Sequence, residues 1–367
     1  MPDPLTLEIA GTAYGGWTAV SVVRSIESIS GGFSLRVSER WPGQPETRTI
    51  RPGERCSIRI GAEAVISGYV DEVEITRAGT DHQVSCRGRD AAGDLVDCSP
   101  DLSPGEWHGR TVLEIASDLA APFGIAVRAE VPVGAAFTKV SLDPGASVYD
   151  AIEELCKYRA LLPVSDGQGA IVLTRAGAAR AVAGLVEGEN LLEESLTLSW
   201  VDRFSRYTVK GQAQGSDLLF GEAASGAVGR ASDTEVERHR PKVVIASKGI
   251  TAEQAQQRAQ WEATVRAGRS AVAHVTVVGW RQGPDETGPL WPVNAIVQVR
   301  SATLGLAREM LISELEYVLD ESGRKTRLHL VRPDAFALLA EPEEEQGGLG
   351  FDPLGIFGPK AGVTVGR

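Results

Sequence analysis

The sequence has 367 residues, 43% of them hydrophobic, and a formal net charge of −12. This size predicts two or three domains, each large enough to bury its own core, and the composition excludes a disordered chain. A net-negative surface repels phosphate backbones, so general nucleic-acid binding is excluded as well.

Cysteine usage and the N-terminus bear on the compartment. Four cysteines are spaced 30, 12 and 58 residues apart with no CxxC pair: Cys56, Cys86, Cys98 and Cys156. This spacing favours small buried thiols over a disulfide framework or a zinc site. The N-terminus has no basic region typical of a secretion signal, and the uncharged run 9–23 is too short to cross a bilayer. We expect a soluble protein assembled in a cytoplasm.

The first hundred residues predict β-strands. Apolar and polar side chains alternate over 33–37, 72–75 and 83–87, and a hairpin is expected to turn near Gly61. Short strands separated by Gly/Pro turns are typical of a sandwich or barrel.

The pattern then changes to two helices and two strands. Apolar residues at helical spacing over 112–119 predict one helix, and a capping box of Ser147 and Asp150 opens a second. Apolar strands are expected at 125–129 and 170–174. Together these elements indicate a small α+β domain inserted between two β regions.

Strands return from about Asn190. The Gly-, Ala- and Ser-rich stretch 211–230 is predicted to be a mobile loop. Thr251 with Gln254 caps a third helix that ends at Gly268. Four further strands are expected: 271–280, 294–300, 309–319 and 324–331.

The segment 337–367 cannot fold alone, because it is rich in Gly and Pro and carries four glutamates within 341–345. Its large apolar residues are Leu349, Phe351, Leu354, Ile356 and Phe357. Two interpretations stay open: a disordered tail, or a tether whose apolar residues dock on a partner.

No catalytic constellation is apparent. The sequence has no HExxH, G-x-S-x-G, P-loop or EF-hand motif, and its five histidines are scattered. The adjacent carboxylates Glu153–Glu154 and Glu193–Glu194 are better interpreted as solvated faces than as a glycosidase pair. We expect no enzyme activity, no cofactor and no metal site.

Several short motifs follow one another in a particular order: Gly68–Glu72, Cys86–Ser99, Trp107–Gly109, Gly188–Leu192, Arg258–Ser270, Gly279–Arg281, Leu290–Asn294 and Arg332–Phe336. This order resembles the baseplate hub protein of Mu-like contractile-tailed bacteriophages, in the late-control or tail-protein-D group, which is similar to the T-even phage hub. The resemblance covers about residues 5–336.

The resemblance implies a mixed β fold with an α+β insert. Two β-barrel-like domains would span 1–98 and 185–336, the second with a helix at 251–268. The inserted domain would span 99–184, followed by a flexible tail at 337–367. Three chains would then form a pseudo-six-fold ring.

The same resemblance implies a structural function in the virion tail baseplate. The homotrimeric ring would adapt the six-fold tail tube to the three-fold central spike and form part of the DNA ejection channel. Its partners would be other copies of itself, the spike, the tail tube or tube-initiator protein, and baseplate wedge proteins, with no specific nucleic-acid binding and no membrane segment. The net charge adds the hypothesis of an acidic channel that lets DNA slide.

Seven residues of these motifs are structural candidates: Gly88, Asp90, Asp94, Asp97, Trp280, Trp291 and Asn294. Glycine permits tight backbone turns, and aspartates cap local N–H groups. The two tryptophans fit a subunit contact and core packing equally well.

Alternative functions remain open at this point. The chain could be the equivalent hub of a contractile injection or secretion machine. A tail-associated cell-wall hydrolase would need a carboxylate or metal constellation, and a carbohydrate-binding sandwich is suggested only by the seven tryptophans.

Overall fold

A computed structural model describes residues 3–38, 50–78, 81–101, 105–143, 145–212, 225–246, 250–283 and 285–341. The fold is mostly β. The strands of the N-terminal region are β1 (Leu5–Ile9), β2 (Thr12–Tyr14), β3 (Ala19–Ser25), β4 (Gly32–Ser38), β5 (Arg55–Ile60), β6 (Glu63–Ala78) and β7 (Asp81–Asp90).

The middle of the chain carries most of the helices and short strands. In order these are α1 (Gly93–Asp97), β8 (Glu106–Arg110), α2 (Val112–Ala120), β9 (Ala126–Ala129), β10 (Phe137–Ser141), α3 (Val148–Lys157), β11 (Leu162–Ser165), β12 (Ala170–Thr174), β13 (Ala179–Arg180) and β14 (Leu185–Val186).

The C-terminal region returns to long strands and carries one long helix. Its elements are β15 (Leu191–Leu198), β16 (Arg206–Gln212), β17 (Ser225–Ser232), β18 (Pro241–Ile245), α4 (Ala252–Arg269), β19 (Ala271–Val278), β20 (Ala295–Ser301), β21 (Leu306–Asp320) and β22 (Gly323–Val331). Short 3-10 turns cover Ala121–Phe123 and Pro333–Phe336.

One sheet of 14 strands joins the two ends of the chain. Its path runs β15–β19–β22–β21–β3–β4–β7–β6–β5–β1–β2, and β13, β14 and β20 lie off this path. The two halves meet where β3 pairs antiparallel with β21, and there the Ser21 hydroxyl donates to the Glu316 carboxylate, 295 residues away. The two β regions therefore share one sheet.

The two halves also share one apolar core. Leu7, Leu35 and Ile58 from the N-terminal strands pack in the same buried cluster as Val275 and Leu315 from the C-terminal strands. Burying apolar area of this kind contributes about 25 cal/mol per Å². The core of the sheet therefore depends on contacts between residues that are far apart in the sequence.

The middle segment has its own apolar cluster. Val112 and Ile115 of α2 pack with Ile152 and Leu155 of α3 in this cluster. The Ser147 hydroxyl accepts from the Asp150 N–H, 3.0 Å away, so the predicted capping box is confirmed, as are both helices.

A three-stranded sheet, ordered β17–β16–β18, packs against α4. The capping box of Thr251 and Gln254 and the third helix are confirmed, with the end one residue beyond Gly268. The predicted loop over 211–230 is wrong at residues 211–212, which end β16, and at residues 225–230, which belong to β17. Small residues occur there because α4 approaches closely: a Cβ on Gly229 would lie 2.1 Å from the Ala255 backbone.

Residues 213–224 of that loop prediction lie outside the described residues. The four predicted C-terminal strands are confirmed as β19–β22, and so is the hairpin near Gly61 between β5 and β6. Gly61 has φ +58°, which suits glycine.

The thiols divide into two groups. Cys56, Cys86 and Cys156 are buried, and burial raises the pKa of both Cys56 and Cys86 to about 12. Cys98 is exposed, so the buried-thiol prediction is wrong there. It follows the last turn of the short helix α1, where the chain leaves the core.

Candidate functional site

The side of the large sheet that faces away from its apolar core is lined mainly by polar side chains, with Val23, Val278 and Val318 among them. Pairing registers align them in rows across neighbouring strands, and we call this surface the polar face. One row is Ser195, His274, His329, Glu314 and Ser25. A second is Glu193, Thr276, Arg327 and Glu316. A third includes Ser21, Ser34, Arg87 and Glu72.

The first row contains a pair of imidazoles on adjacent strands. The rings of His274 and His329 are 4.7 Å apart between centroids, and the Ser313 Oγ lies 2.7 Å from the His329 Nδ1. Burial first, and then His274, lower the pKa of His329 to about 4. Burial raises the pKa of Glu314 in the same row. At neutral pH His329 is therefore uncharged.

Three arginines of the polar face are ion-paired with carboxylates. The pairs are Arg327 with Glu316 at 2.9 Å, Arg87 with Glu72 at 3.6 Å, and Arg89 with Asp71 at 2.8 Å and with Asp97 at 2.6 Å. A phosphate that approached these guanidinium groups would have to compete with the carboxylates already there. Such a surface is polar but holds anions weakly.

Eight strands, from β15 to β6, carry the polar face, and within the described chain both outer strands have a free edge. β15 pairs only with β19. At the other side, β5 pairs with β6 only up to Tyr69, so residues 71–78 of β6 pair only with β7. Unpaired strand edges of this length invite pairing with another chain.

Gly88 and Asp90 lie at the end of β7. A Cβ on Gly88 would lie 2.1 Å from the Tyr69 carbonyl oxygen, so glycine is required for this close approach. The buried Asp90 carboxylate accepts from the Gly31 N–H at 2.9 Å and from the Ala92 N–H at 3.1 Å. Burial raises the pKa of Asp90. These residues fix the turn from the sheet into α1.

Asp94 and Asp97 belong to α1. Asp94 lies in the first turn, where a carboxylate is favourable next to the helix N-terminus. Asp97 is exposed, and its hydrogen bond with Arg89 lowers its pKa. The four candidates of this motif thus lie within one strand end and one short helix.

Trp280 and Trp291 are both 2% exposed and pack in the core of the large sheet. The Trp280 Nε1 donates to the Val318 carbonyl at 3.0 Å. The Tyr317 hydroxyl donates to the Trp291 carbonyl at 2.6 Å. Of the two interpretations left open by the sequence, the structure places both indoles in the core of their own chain.

Asn294 is buried and has φ +60°, a left-handed conformation that asparagine tolerates. Its Oδ1 accepts from the Gly177 N–H at 2.8 Å, and its Nδ2 donates to the Arg175 carbonyl at 3.0 Å. Asn294 therefore ties the segment after β12 to the large sheet.

The polar face was not singled out by sequence reasoning. His274 and His329 were each assigned to a strand, but their pairing depends on register across separate strands. The signal that could have indicated the face is the alternation of Ser, Thr, Glu and Arg with apolar residues in several strands.

Neither a metal cluster nor a membrane helix is found in the described part of the chain. No three His, Cys, Asp or Glu side chains there are grouped to hold an ion, and no helix there is long and apolar enough to cross a membrane. The predicted tail beyond residue 341 lies outside the described residues.

Comparison with known proteins yields matches along nearly the whole chain. The family model described as "Baseplate hub protein gp44-like, second domain" matches residues 92–175. Models of the Mu phage baseplate assembly protein GpP match 4–90 (N-terminal) and 251–339 (fourth domain). The third domain of the NMB1110-like tail proteins matches 203–261.

Individual relatives agree with these matches. The chain is 35% identical over 354 residues to the baseplate hub protein gp44 of Escherichia phage Mu, covering 94% of this chain and 92% of that one. The 43 kDa tail protein of prophage MuSo2 from Shewanella oneidensis superposes with a TM-score of 0.82 at 34% identity, over 92% of this chain and 100% of that chain. The tail protein of Neisseria meningitidis MC58 gives 0.76 at 23% identity, over 93% and 100%.

The described chain shares its fold with a prophage tail protein, which defines the class of protein. The chain belongs to the family of Mu-type phage baseplate hub proteins. The family resemblance inferred from the order of the motifs is thereby confirmed.

Proposed function

We propose that this chain is a structural, non-enzymatic hub that assembles as a homotrimer in the tail baseplate of the virion. The ring adapts the six-fold tail tube to the three-fold central spike and forms part of the DNA ejection channel. Family membership supports the hub assignment. The observation that carries the ring is a pair of free edges in the described chain: β15 at one end of the sheet path, and the part of β6 that extends beyond its pairing with β5.

Ring closure follows from edge pairing between copies. β15 has eight residues, and residues 71–78 of β6 form a free edge of equal length. Since these edges lie on opposite sides of the eight strands that carry the polar face, β15 of one copy pairs with β6 of the next in a head-to-tail contact, which closes into a ring. Each copy supplies two β regions, so three copies give pseudo-six-fold symmetry.

The polar face lines the channel in this arrangement. Three of its arginines, Arg87, Arg89 and Arg327, are paired with carboxylates, so DNA phosphates meet few available cations and slide past. The proposed channel is therefore lined by ion pairs and not, as the net charge suggested, by acidic groups alone. The central spike, the tail tube or tube initiator and the wedge proteins would bind the remaining surfaces, and the division at residues 98, 184 and 336 stays a prediction.

The mass of the purified chain in solution tests the ring. We expect a species of about 117 kDa, three times the 39.0 kDa chain, by light scattering at several concentrations. Lysine on a strand edge blocks edge pairing. The double variant Leu198→Lys with Ile75→Lys should therefore run as a monomer, because both side chains are exposed beside the free edges.

Val182→Lys is the matched control, since Val182 is 75% exposed and lies outside both edges. It should remain trimeric. A wild-type monomer at every concentration, also in the presence of the spike protein, would contradict the ring. A double variant that stays trimeric would contradict the edge assignment.

Retention of duplex DNA by the assembled ring tests the channel. We expect weak retention at physiological salt and stronger retention by Glu316→Gln, because Arg327 loses its carboxylate partner. Glu237→Gln removes the same charge from an exposed site off the sheet and should change little. Tight binding by the wild-type ring would contradict a sliding channel.

A further inference from the structure

A groove runs between α4 and the edge strand β18, next to the end of β15. Its volume is about 620 Å³, and Trp261 and Val265 of α4 lie on one wall. Val243 and Ile245 of β18 lie on the other, and both are exposed. We call this feature the α4 groove.

The edge of β18 that faces the α4 groove is open within the described residues. β18 pairs in parallel with β16, and its second edge has no strand partner there. An extended peptide can add to such an edge through main-chain hydrogen bonds, while exposed apolar side chains supply contacts for its own side chains. The α4 groove therefore suits an extended segment with apolar residues.

The charge of the α4 groove favours an acidic segment. Its lining holds four basic side chains, Lys242, Arg258, Arg266 and Arg269, and two acidic ones, Asp202 and Glu262. Glu262 pairs with Arg258 at 3.3 Å and with Arg266 at 2.8 Å, so one carboxylate serves two arginines. Residues 199–269 hold eleven Lys and Arg against eight Asp and Glu, in a chain with net charge −12.

The chain's own C-terminal segment has the complementary chemistry. Residues 343–357 contain four acidic residues and no Lys or Arg. They also contain five large apolar residues: Leu349, Phe351, Leu354, Ile356 and Phe357. Neither the proposed ring nor the proposed channel uses this combination of acidic and large apolar residues.

The described chain passes the rim of the α4 groove at residues 335–337 and continues to Glu341, whose N–H donates to the Lys157 carbonyl of α3 at 3.2 Å. The Trp261 Nε1 donates to the Ala337 carbonyl at 2.6 Å, and the Arg269 Nε donates to the Ala335 carbonyl at 3.2 Å. Both donors also line the groove. Six residues separate 337 from 343, so the acidic run begins within about 20 Å of Trp261 even in a fully extended chain.

We propose that residues 343–357 bind in the α4 groove of their own chain. The glutamates lie against the basic rim, and the apolar side chains cover Val243 and Ile245 along the β18 edge. A short tether gives the segment a high effective concentration at the groove, which offsets the cost of ordering it. The contact covers an exposed edge that would otherwise invite pairing with other chains.

Cleavage by a glutamate-specific protease tests this contact in the full chain. The sites are Glu343, Glu344 and Glu345, and a synthetic peptide of residues 338–358 gives the reference rate. We expect cleavage of the tail in the folded chain to be at least about tenfold slower than in the peptide, because only the released state is cut. The variant Lys242→Glu with Ile245→Asp should approach the peptide rate.

The matched control is Lys139→Glu with Val182→Asp, which makes the same two exchanges at exposed sites outside the groove. It should keep the wild-type protection, and circular dichroism should show equal melting temperatures for all variants. A wild-type tail cut at the peptide rate would overturn the proposal, and so would equal protection in the groove variant. Protection that weakens on dilution would assign the tail to another copy and overturn binding within one chain.

Discussion

The 14-stranded sheet and the α4 layer, formed by β16–β18 and α4, are held together by different means. The sheet buries large side chains, among them Trp280, Trp291 and Tyr317. The interior of the α4 layer consists of Val209, Ala255 and Ala259. Large apolar area stabilises the first region, whereas the second depends on close approach between backbones.

This difference implies different tolerance to change. The β3–β21 pairing joins strands from the two ends of the sequence. Loss of this pairing would therefore affect both chain ends. The α4 layer has a small core and faces the α4 groove, so we expect it to open more readily than the sheet. In our proposals the sheet forms the ring, and the more adaptable α4 layer binds the C-terminal segment.

A matched pair of tryptophan variants should give the largest contrast. Trp280→Ala removes an indole that is 2% exposed and leaves the Val318 carbonyl without its donor, so we expect a loss of about 3–5 kcal/mol. Trp200 is 44% exposed beside the α4 layer, so Trp200→Ala should cost less than about 1 kcal/mol. Urea unfolding measures both. Equal losses would contradict the comparison.

A methyl group at Gly229 should selectively loosen the α4 layer. The added Cβ would clash with the Ala255 backbone, and overpacking of this kind costs about 1–3 kcal/mol. In Gly229→Ala we expect faster hydrogen exchange in α4 and β16–β18 with unchanged exchange in the large sheet. Gly32→Ala is the control, since its nearest contact is 3.7 Å. Faster exchange throughout the chain would show that the two regions unfold together.

The sheet should lose stability in mild acid through His329. The pKa of this side chain is 6.5 in the unfolded chain and about 4 in the folded chain. The unfolded state therefore binds more protons between these values, and stability falls as pH falls. Glu27 and Glu314, whose pKa values are raised by partial desolvation, act in the opposite direction.

The variant His329→Gln isolates this contribution, because both glutamates remain. Its melting temperature should fall less than that of the wild type between pH 6.5 and 4. The control His239→Gln changes an exposed histidine near the α4 layer and should follow the wild type. The same pH dependence of the melting temperature in all three proteins would contradict the proposed role of His329.

Local signals in the sequence predicted local structure well. The capping boxes at Ser147 and Thr251 located two helices, because the cap and its partner lie three residues apart. The β3–β21 pairing could not be predicted in the same way, since register across 295 residues leaves no local pattern. The strand at 225–230 was missed because Gly, Ala and Ser indicate loops unless the helix packed on them is known.

The candidate site was predicted less completely than the fold. The β7–α1 motif contains residues that the fold requires, such as Gly88, but the polar face emerges only when eight strands are aligned. Both tryptophans were compatible with an interface, because the sequence does not show whether a single aromatic residue is buried in its own chain. The order of the motifs along the chain, and not any single motif, supported the functional inference.

The ring formed through sheet edges is the central claim, and hydrogen exchange at the two edges tests it most directly. We predict that amides of β15 and of residues 71–78 exchange slowly in the wild-type assembly and quickly in the monomeric variant Leu198→Lys with Ile75→Lys, while the central strands stay protected in both. Fast exchange at both edges in a wild-type trimer would contradict the account, because the copies would then be joined elsewhere.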